Sequence, residues 1–415
     1  MTSIPTGLRT LAIVQAGGQG SRMEVLTRER AKPALPFAGV HALIDFPLSA
    51  LAGSGIADVW VAVQYQSSSL DEYLSGGRPW DLDRSRGGFR RITPEEGSGT
   101  AHEDGFSFGN ADGLFRMREA IRMFAPDVLL VLSADHVFSL DLEPVVAEHL
   151  SRGAECTLVT AEVGRQEARH KMVVHGAVGG GRVSAVEYKP DSTSVGTVAT
   201  EIFLYQPEVL LTELERLRAL RHTGAEDPAD TGLGDFGEHL VPALVDRGKV
   251  YAHPIEGYWK DVGRPQAYLQ AHRDLLSGKI DVFDHAERPV LGPAIPGVPG
   301  WIGEGAVVED AMIGPRSRVR GTVVRSVLGD GVEVQAGAVV EDSVLLDGVV
   351  VEAGAQVRTA VLDSGARVLR EARVGARPSG TRLSDDAIVL VGKDSRIGRG
   401  AVVEPGARLE PGTTV

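Results

Sequence analysis

A glycine-rich turn follows the first apolar run of the chain: Ala16-Gly17-Gly18-Gln19-Gly20-Ser21-Arg22-Met23. Glycines there let backbone N–H groups approach an anion with no Cβ in the way, and Arg22 adds a fork of donors suited to phosphate oxygens. The spacing is not that of a Walker loop, and it lacks one glycine of the dinucleotide fingerprint. Arg30-Ala31-Lys32-Pro33 then supplies two further cations. Two carboxylates have the right setting for a metal. Asp135 follows the apolar run Val128–Leu132, and Asp261 follows Tyr258-Trp259-Lys260, 126 residues later. Aspartates at strand ends suit a hard Mg²⁺ whose octahedron phosphates and water complete. His136, beside Asp135, reads as structural. The set points to phosphate chemistry performed by positioning and charge neutralisation, without a His-centred base.

The elements that must position these residues are legible as two regimes. Up to Leu276, the short apolar runs Leu11–Gln15, Val59–Gln64, Val128–Leu132, Cys156–Ala161 and Ala199–Tyr205 read as buried strands. Between them, Pro47–Gly53, Gly113–Phe124, Leu142–Ser151, Pro207–Arg221 and Phe236–Arg247 have helical spacing, and Pro265–Leu276 closes the region. This α/β alternation predicts a mostly parallel, Rossmann-like sheet covered on both faces, with ligands beyond the carboxyl ends of its strands. From Trp301 the period becomes six: Leu328, Val334, Val340, Leu346; then Leu362, Val368, Val374; then Ile397, Val403, Leu409, Val415. Hexapeptide repetition predicts a parallel β-helix with coils of ~18 residues. Residues 302–415 would hold about six coils, interrupted by a protruding loop near Arg377–Asp386. The expected organisation is therefore 1–276, a proline-stiffened connector at 277–300, and 301–415.

Composition excludes several classes. The 415 residues carry a formal net charge of −13, which argues against a nucleic-acid binder. A single cysteine, Cys156, rules out an internal disulfide framework and a Cys-rich zinc site. No apolar run reaches the ~18 residues of a membrane span, and no signal-peptide layout is visible, so a cytoplasmic location with no membrane partner is expected. A chain this acidic can do phosphate chemistry only if its few site cations are locally concentrated.

Taken together, Gly17-Gly18-x-Gly20-Ser21-Arg22, Arg30-Ala31-Lys32-Pro33-Ala34 and Ile44-Asp45-Phe46 resemble the opening of the sugar-1-phosphate nucleotidyltransferases, most closely the bacterial glucose-1-phosphate adenylyltransferases. The likeness continues through Gln64-Tyr65-Gln66-Ser67, Ser133-Ala134-Asp135-His136, Lys189-Pro190, Asp235-Phe236-Gly237 and Tyr258-Trp259-Lys260-Asp261-Val262-Gly263, and spans nearly the whole chain. The resemblance implies a left-handed β-helix at the C-terminus and assembly into a homo-oligomer, a dimer or tetramer. It implies Mg²⁺ on Asp135 and Asp261, an NTP on Ala16, Gly17, Gly18, Gly20, Ser21, Glu95, Gly109 and Asn110, and Arg22 and Lys32 against the triphosphate. Lys189 would grip a sugar 1-phosphate, with Lys171, Tyr188, Glu201, Asp235 and Trp259 completing that side.

Departures cluster where substrates are read. The usual Pro-Ala-Gln-Gln stretch appears as Thr93-Pro94-Glu95-Glu96, Gly-Thr-Ala-Asp as Gly109-Asn110-Ala111-Asp112, Glu-Lys-Pro as Tyr188-Lys189-Pro190, Ser-Met-Gly as Ala199-Thr200-Glu201, and Phe-Gly as His170-Lys171. A carboxylate only accepts hydrogen bonds, which suits the donor edge of guanine better than adenine. The expectation is guanylyl transfer to a glucose-like cyclitol phosphate, with valienol 1-phosphate the candidate. Ordinary ATP-dependent glucose-1-phosphate adenylylation and a non-catalytic regulatory subunit are the alternatives. Glu29 stands where enteric relatives carry a lysine tied to activation by sugar bisphosphates, so that regulation is not expected to carry over.

Overall fold

Strand β1 (Thr10–Ala16) is apolar at successive positions, not alternate ones, and Leu11 through Val14 are fully buried. Such a run needs cover on both faces, as in the middle of an α/β sheet. A computed structural model describes residues 7–18, 20–85, 87–94, 107–177, 179–221, 231–280, 283, 288–294, 297–377 and 383–415. In it β1 lies between β2 (Asp58–Val63) and β4 (Val128–Ser133), both parallel to it, with β3 (Phe89–Ile92) parallel to β2. The other strands are β5 (Cys156–Glu162), β6 (Met172–His175), β7 (Ala185–Tyr188), β8 (Thr197–Tyr205) and β9 (Val250–Pro254).

The expectation of a mostly parallel sheet holds for one half only. β8 runs antiparallel to β4, β5 and β6, β7 is antiparallel to β6, and β9 is parallel to β5, so the nine-stranded sheet is mixed. The inversion has a consequence for function: β8 enters the sheet at the end where β1 and β4 finish. The predicted helices Leu142–Ser151, Pro207–Arg221 and Pro265–Leu276 form with those bounds. Gly113–Phe124 is instead two helices, Asn110–Arg116 and Arg118–Phe124, which meet at Met117. Phe236–Arg247 starts as a π-helical turn at Phe236–Leu240. Pro242 lacks the N–H that an α-helix would direct at the Glu238 carbonyl, which favours the wider turn.

The C-terminal region is a left-handed parallel β-helix of three six-stranded sheets, hence six coils. Val334, Val351 and Val368 stack in register, so a coil there takes 17 residues, not 18. The missing residue comes out of one corner. Leu345, not Leu346, joins the column of Leu328 and Leu362 inside the coil. Leu346 turns outward and packs, with Val344, Val361 and Leu390, into the core of the N-terminal region. The interruption falls between the strands Arg373–Val374 and Val389–Val391 and carries a short helical turn at Asp385–Ala387.

Five polar links reinforce this apolar seam. Arg30 meets the buried Asp363 at 2.8 Å, and Arg28 pairs with Glu410 at 3.0 Å. Glu24 bonds Arg408, Lys393 lies 3.6 Å from Glu29, and the Gln266 backbone N–H donates to Asp385 at 2.7 Å. Arg30 is thereby removed from the phosphate-binding cations that the Arg30-Ala31-Lys32-Pro33 motif suggests. Among the described residues no helix is long and apolar enough to cross a membrane.

Candidate active site

Two local features bring the aspartates together. The Ala134 N–H donates to the Gln15 carbonyl at 3.1 Å, so the segment leaving β4 stays beside the segment leaving β1, and Asp135 faces the glycine turn. His136–Phe138 then pairs antiparallel with Trp259–Asp261, placing Asp261 directly opposite His136. This ribbon brings the second carboxylate to the first. The turn itself is held by Thr27, whose hydroxyl donates to the Gly20 carbonyl at 2.9 Å. Gly20 has φ 65, and a Cβ there would meet Lys32 Cβ at 3.0 Å, so glycine is required both for conformation and for space.

Lys32 is 5% exposed; its Nζ lies 2.5 Å from Asp135 Oδ2 and 3.9 Å from Asp261 Oδ1. Lys171 reaches the other oxygen of Asp261 at 2.8 Å, its ammonium 4.9 Å above the Trp259 ring. Burial alone would raise both aspartates. The attraction of Lys32 and His136 outweighs it at Asp135, which is lowered to about 2. Lys171, His136 and Lys32 together hold Asp261 well below the ordinary carboxylate range. Both therefore stay ionised at neutral pH, each in contact with an ammonium group.

Lys189 lines the cavity on the side of Tyr188 and Asp235. It has φ 47, its ammonium sits 4.3 Å above the Tyr188 ring and bonds the Tyr188 hydroxyl, and Asp235 lies 3.9 Å away. The Tyr188 hydroxyl in turn donates to Asp235 at 2.6 Å. Here the cation on Asp261 is Lys171. Glu201 sits at a bulge where the register of β8 against β5 shifts, between Ala199 and Phe203. It is exposed to the cavity, and partial desolvation by the cavity walls, with the like charges of Asp135 and Asp261, pushes its carboxyl upward.

The nucleotide-side loop is anchored by two glutamines, Gln64 of the Gln64-Tyr65-Gln66-Ser67 motif and Gln15, which no motif contains. Gln15 Nε2 donates to the Asn110 carbonyl at 2.9 Å, and Gln64 Oε1 accepts from the Ser107 N–H at 3.0 Å. Gln15 was detectable as a lone polar side chain in an otherwise apolar strand. Gly109, at φ 102, passes against the Gly234 carbonyl where no Cβ fits.

Ala16, Gly17, Gly18, Gly20, Ser21, Arg22, Lys32, Gly109, Asn110, Asp135, Lys171, Tyr188, Lys189, Glu201, Asp235, Trp259 and Asp261 all line one cavity of about 530 Å³. Glu95 lies outside the described residues. The nucleotidyl transferase family matches residues 11–278 of the chain, with the phosphate turn and both aspartates inside the match. The chain belongs to the sugar-1-phosphate nucleotidyltransferase family. A GlmU-like C-terminal hexapeptide family matches residues 300–391. Similar curated proteins are the glucose-1-phosphate adenylyltransferases of Clostridium beijerinckii, 34% identical over 95% of this chain and 97% of the relative, and of Geobacillus stearothermophilus, 34% identical over 80% and 83%. That of Clostridium botulinum Eklund 17B is likewise 34% identical over 80% of this chain and 83% of its own length. As a member of this family the chain is an enzyme that joins an NTP and a sugar 1-phosphate.

Proposed function

We propose that the cavity joins an NTP to a sugar 1-phosphate with release of pyrophosphate, and that Asp135 and Asp261 would hold Mg²⁺ there. The observation that carries this reading is the convergence of both carboxylates on one buried ammonium, that of Lys32, beside the glycine turn. Their hard oxygen donors fit Mg²⁺, and bound there the ion supplies neutralisation of phosphate charge. The N–H groups of the turn, Arg22 and Lys32 bind the triphosphate. Lys171 and Lys189 flank the sugar phosphate, and Tyr188, Glu201, Asp235 and Trp259 line the ring. A phosphate oxygen of the sugar 1-phosphate attacks the α-phosphorus in line, the bond to the pyrophosphate oxygen breaks, and no general base takes part because the nucleophile is already ionised.

Two substrate pairs compete. ATP with glucose 1-phosphate has the support of the names borne by the relatives. GTP with a glucose-like cyclitol phosphate such as valienol 1-phosphate has the support of Tyr188, Lys171 and Glu201 in place of the usual residues, and of Glu95. The adenylyl pair fits at least as well. A non-catalytic role fits poorly with a complete set of Lys32, Asp135, Lys171 and Asp261 in one cavity. In the same reading residues 1–276 form the catalytic unit, 277–300 the connector and 301–415 the assembly unit of a homo-oligomer. Trp301 and Ile302, about half exposed on the unpaired edge of the first coil, offer it a contact surface.

An NTP by sugar-phosphate matrix, read as pyrophosphate release with and without Mg²⁺, tests the reading. The expected result is release that depends on Mg²⁺, with the fastest pair naming the substrates. No release from any pair would overturn it.

A further inference from the structure

We infer that Glu201 and His136 are additional ligands of the divalent cation, forming with Asp135 a site that holds a Mn²⁺-class ion before either substrate arrives. The inference rests on the reading that this cavity binds a metal at its aspartates, and adds ligands that the two-aspartate reading does not contain.

Geometry carries it. His136 is 3% exposed, and its Nδ1 lies 3.0 Å from the Thr200 carbonyl oxygen, which can only accept. Nδ1 therefore bears the hydrogen, and Nε2 is the atom turned to the cavity. That nitrogen lies 3.5 Å from Asp135 Oδ1 and 3.8 Å from Asp261 Oδ1, so a cation between them would meet a ring nitrogen as well as carboxylate oxygens. Glu201, exposed to the cavity, brings a second carboxylate to Asp135 and the ring: ligand atoms of Asp135, His136 and Glu201 all lie within 4.8 Å of one another. Metal–ligand bonds of ~2.1 Å place opposite donors about 4.2 Å apart, so a small contraction suffices.

The bulge in β8 serves both ligands. It turns Glu201 inward at φ 58, a conformation that side chains other than glycine rarely adopt, and it presents the Thr200 carbonyl that orients His136. Among the described residues no hydrogen-bond donor meets the Glu201 carboxylate. An imidazole nitrogen among oxygens shifts preference from Mg²⁺ toward Mn²⁺, Co²⁺ and Zn²⁺.

The test uses the full chain, stripped of metal, with no nucleotide or sugar phosphate, and follows the loss of the free Mn²⁺ EPR signal on titration. One Mn²⁺ per chain is expected, with affinity falling at least tenfold in Glu201→Gln and Mg²⁺ displacing it only in more than tenfold excess. Glu201→Gly, which suits the positive φ, is measured beside it so that misfolding cannot imitate ligand loss. Equal Mn²⁺ affinity in wild type and both variants overturns the inference, as does binding only after nucleotide is added. If Asp261→Asn loses the ion while the Glu201 variants keep it, the two-aspartate reading stands and this one fails. If Glu201→Gln changes only the KM for the sugar phosphate, Glu201 reads substrate hydroxyls and the inference is likewise overturned.

Discussion

The two halves of the molecule use the same strained backbone state for different ends. In the β-helix, left-handed residues recur at stacked corners: Asp310, Arg325, Asp342 and Thr359 follow one edge, and Glu371 takes a position that Gly337, Gly354 and Gly400 occupy in other coils. Arg325, Asp342, Thr359 and Glu371 each donate their N–H to the coil before, Asp342 to the Val324 carbonyl at 3.0 Å. The cost of ~1 kcal/mol per residue is met repeatedly by the same device. In the catalytic half Lys189 and Glu201 adopt that state singly, on the cavity wall, where no periodic partner supports them. Other single left-handed residues of that half, such as Ser75, Asp81 and Ala125, end helices away from the cavity, so Lys189 and Glu201 are set apart by their place on its wall.

The seam is where this division can be broken most severely. Arg30→Ala leaves Asp363 buried without its partner, which should cost about 3–5 kcal/mol and lower the melting temperature, with Asp363→Asn restoring much of the loss in the double variant. Calorimetry of the three variants checks it; a loss below ~0.5 kcal/mol would show that the halves are joined by apolar packing alone.

Acid should separate the halves next. His149 and His272 are buried in the catalytic half and lowered by desolvation to about 4, whereas residues 302–415 contain no histidine. His272 accepts from the Ala38 N–H through Nε2, so it is held neutral. Unfolded, each ring titrates near 6.5 and binds more protons than the folded ring between 6.5 and 4. Stability of that half should therefore fall as pH drops through this window, by roughly 3 kcal/mol per histidine. Hydrogen exchange at pH 7.5 and 4.5, corrected for intrinsic rates, should show protection lost up to residue 276 and kept in the coils; equal loss in both would contradict the assignment.

The smallest effect is the sharpest comparison. Glu371→Gly should raise stability by about 1 kcal/mol with activity unchanged. Glu201→Gly should gain a similar amount and lose turnover. Melting temperatures and pyrophosphate assays on the pair decide whether the cavity-wall strain has a use that the corner strain lacks.

Local chemistry was readable from the chain alone. The glycine turn, the helix bounds at Leu142–Ser151 and Pro265–Leu276, and the six-residue period with its interruption near Arg377 all depend on neighbours within a few residues. The coil was misread by one residue at Leu346 because a tight corner changes the count without changing the composition. Tertiary structure alone decided that Asp261 would face Asp135, through a ribbon joining segments more than a hundred residues apart. It also decided that Lys171 would meet Asp261, and that Arg30 would leave the phosphate site for Asp363. A long flexible cation carries no address in its own sequence. Its partner is whichever carboxylate the fold desolvates within reach, and that is settled only once distant strands have paired.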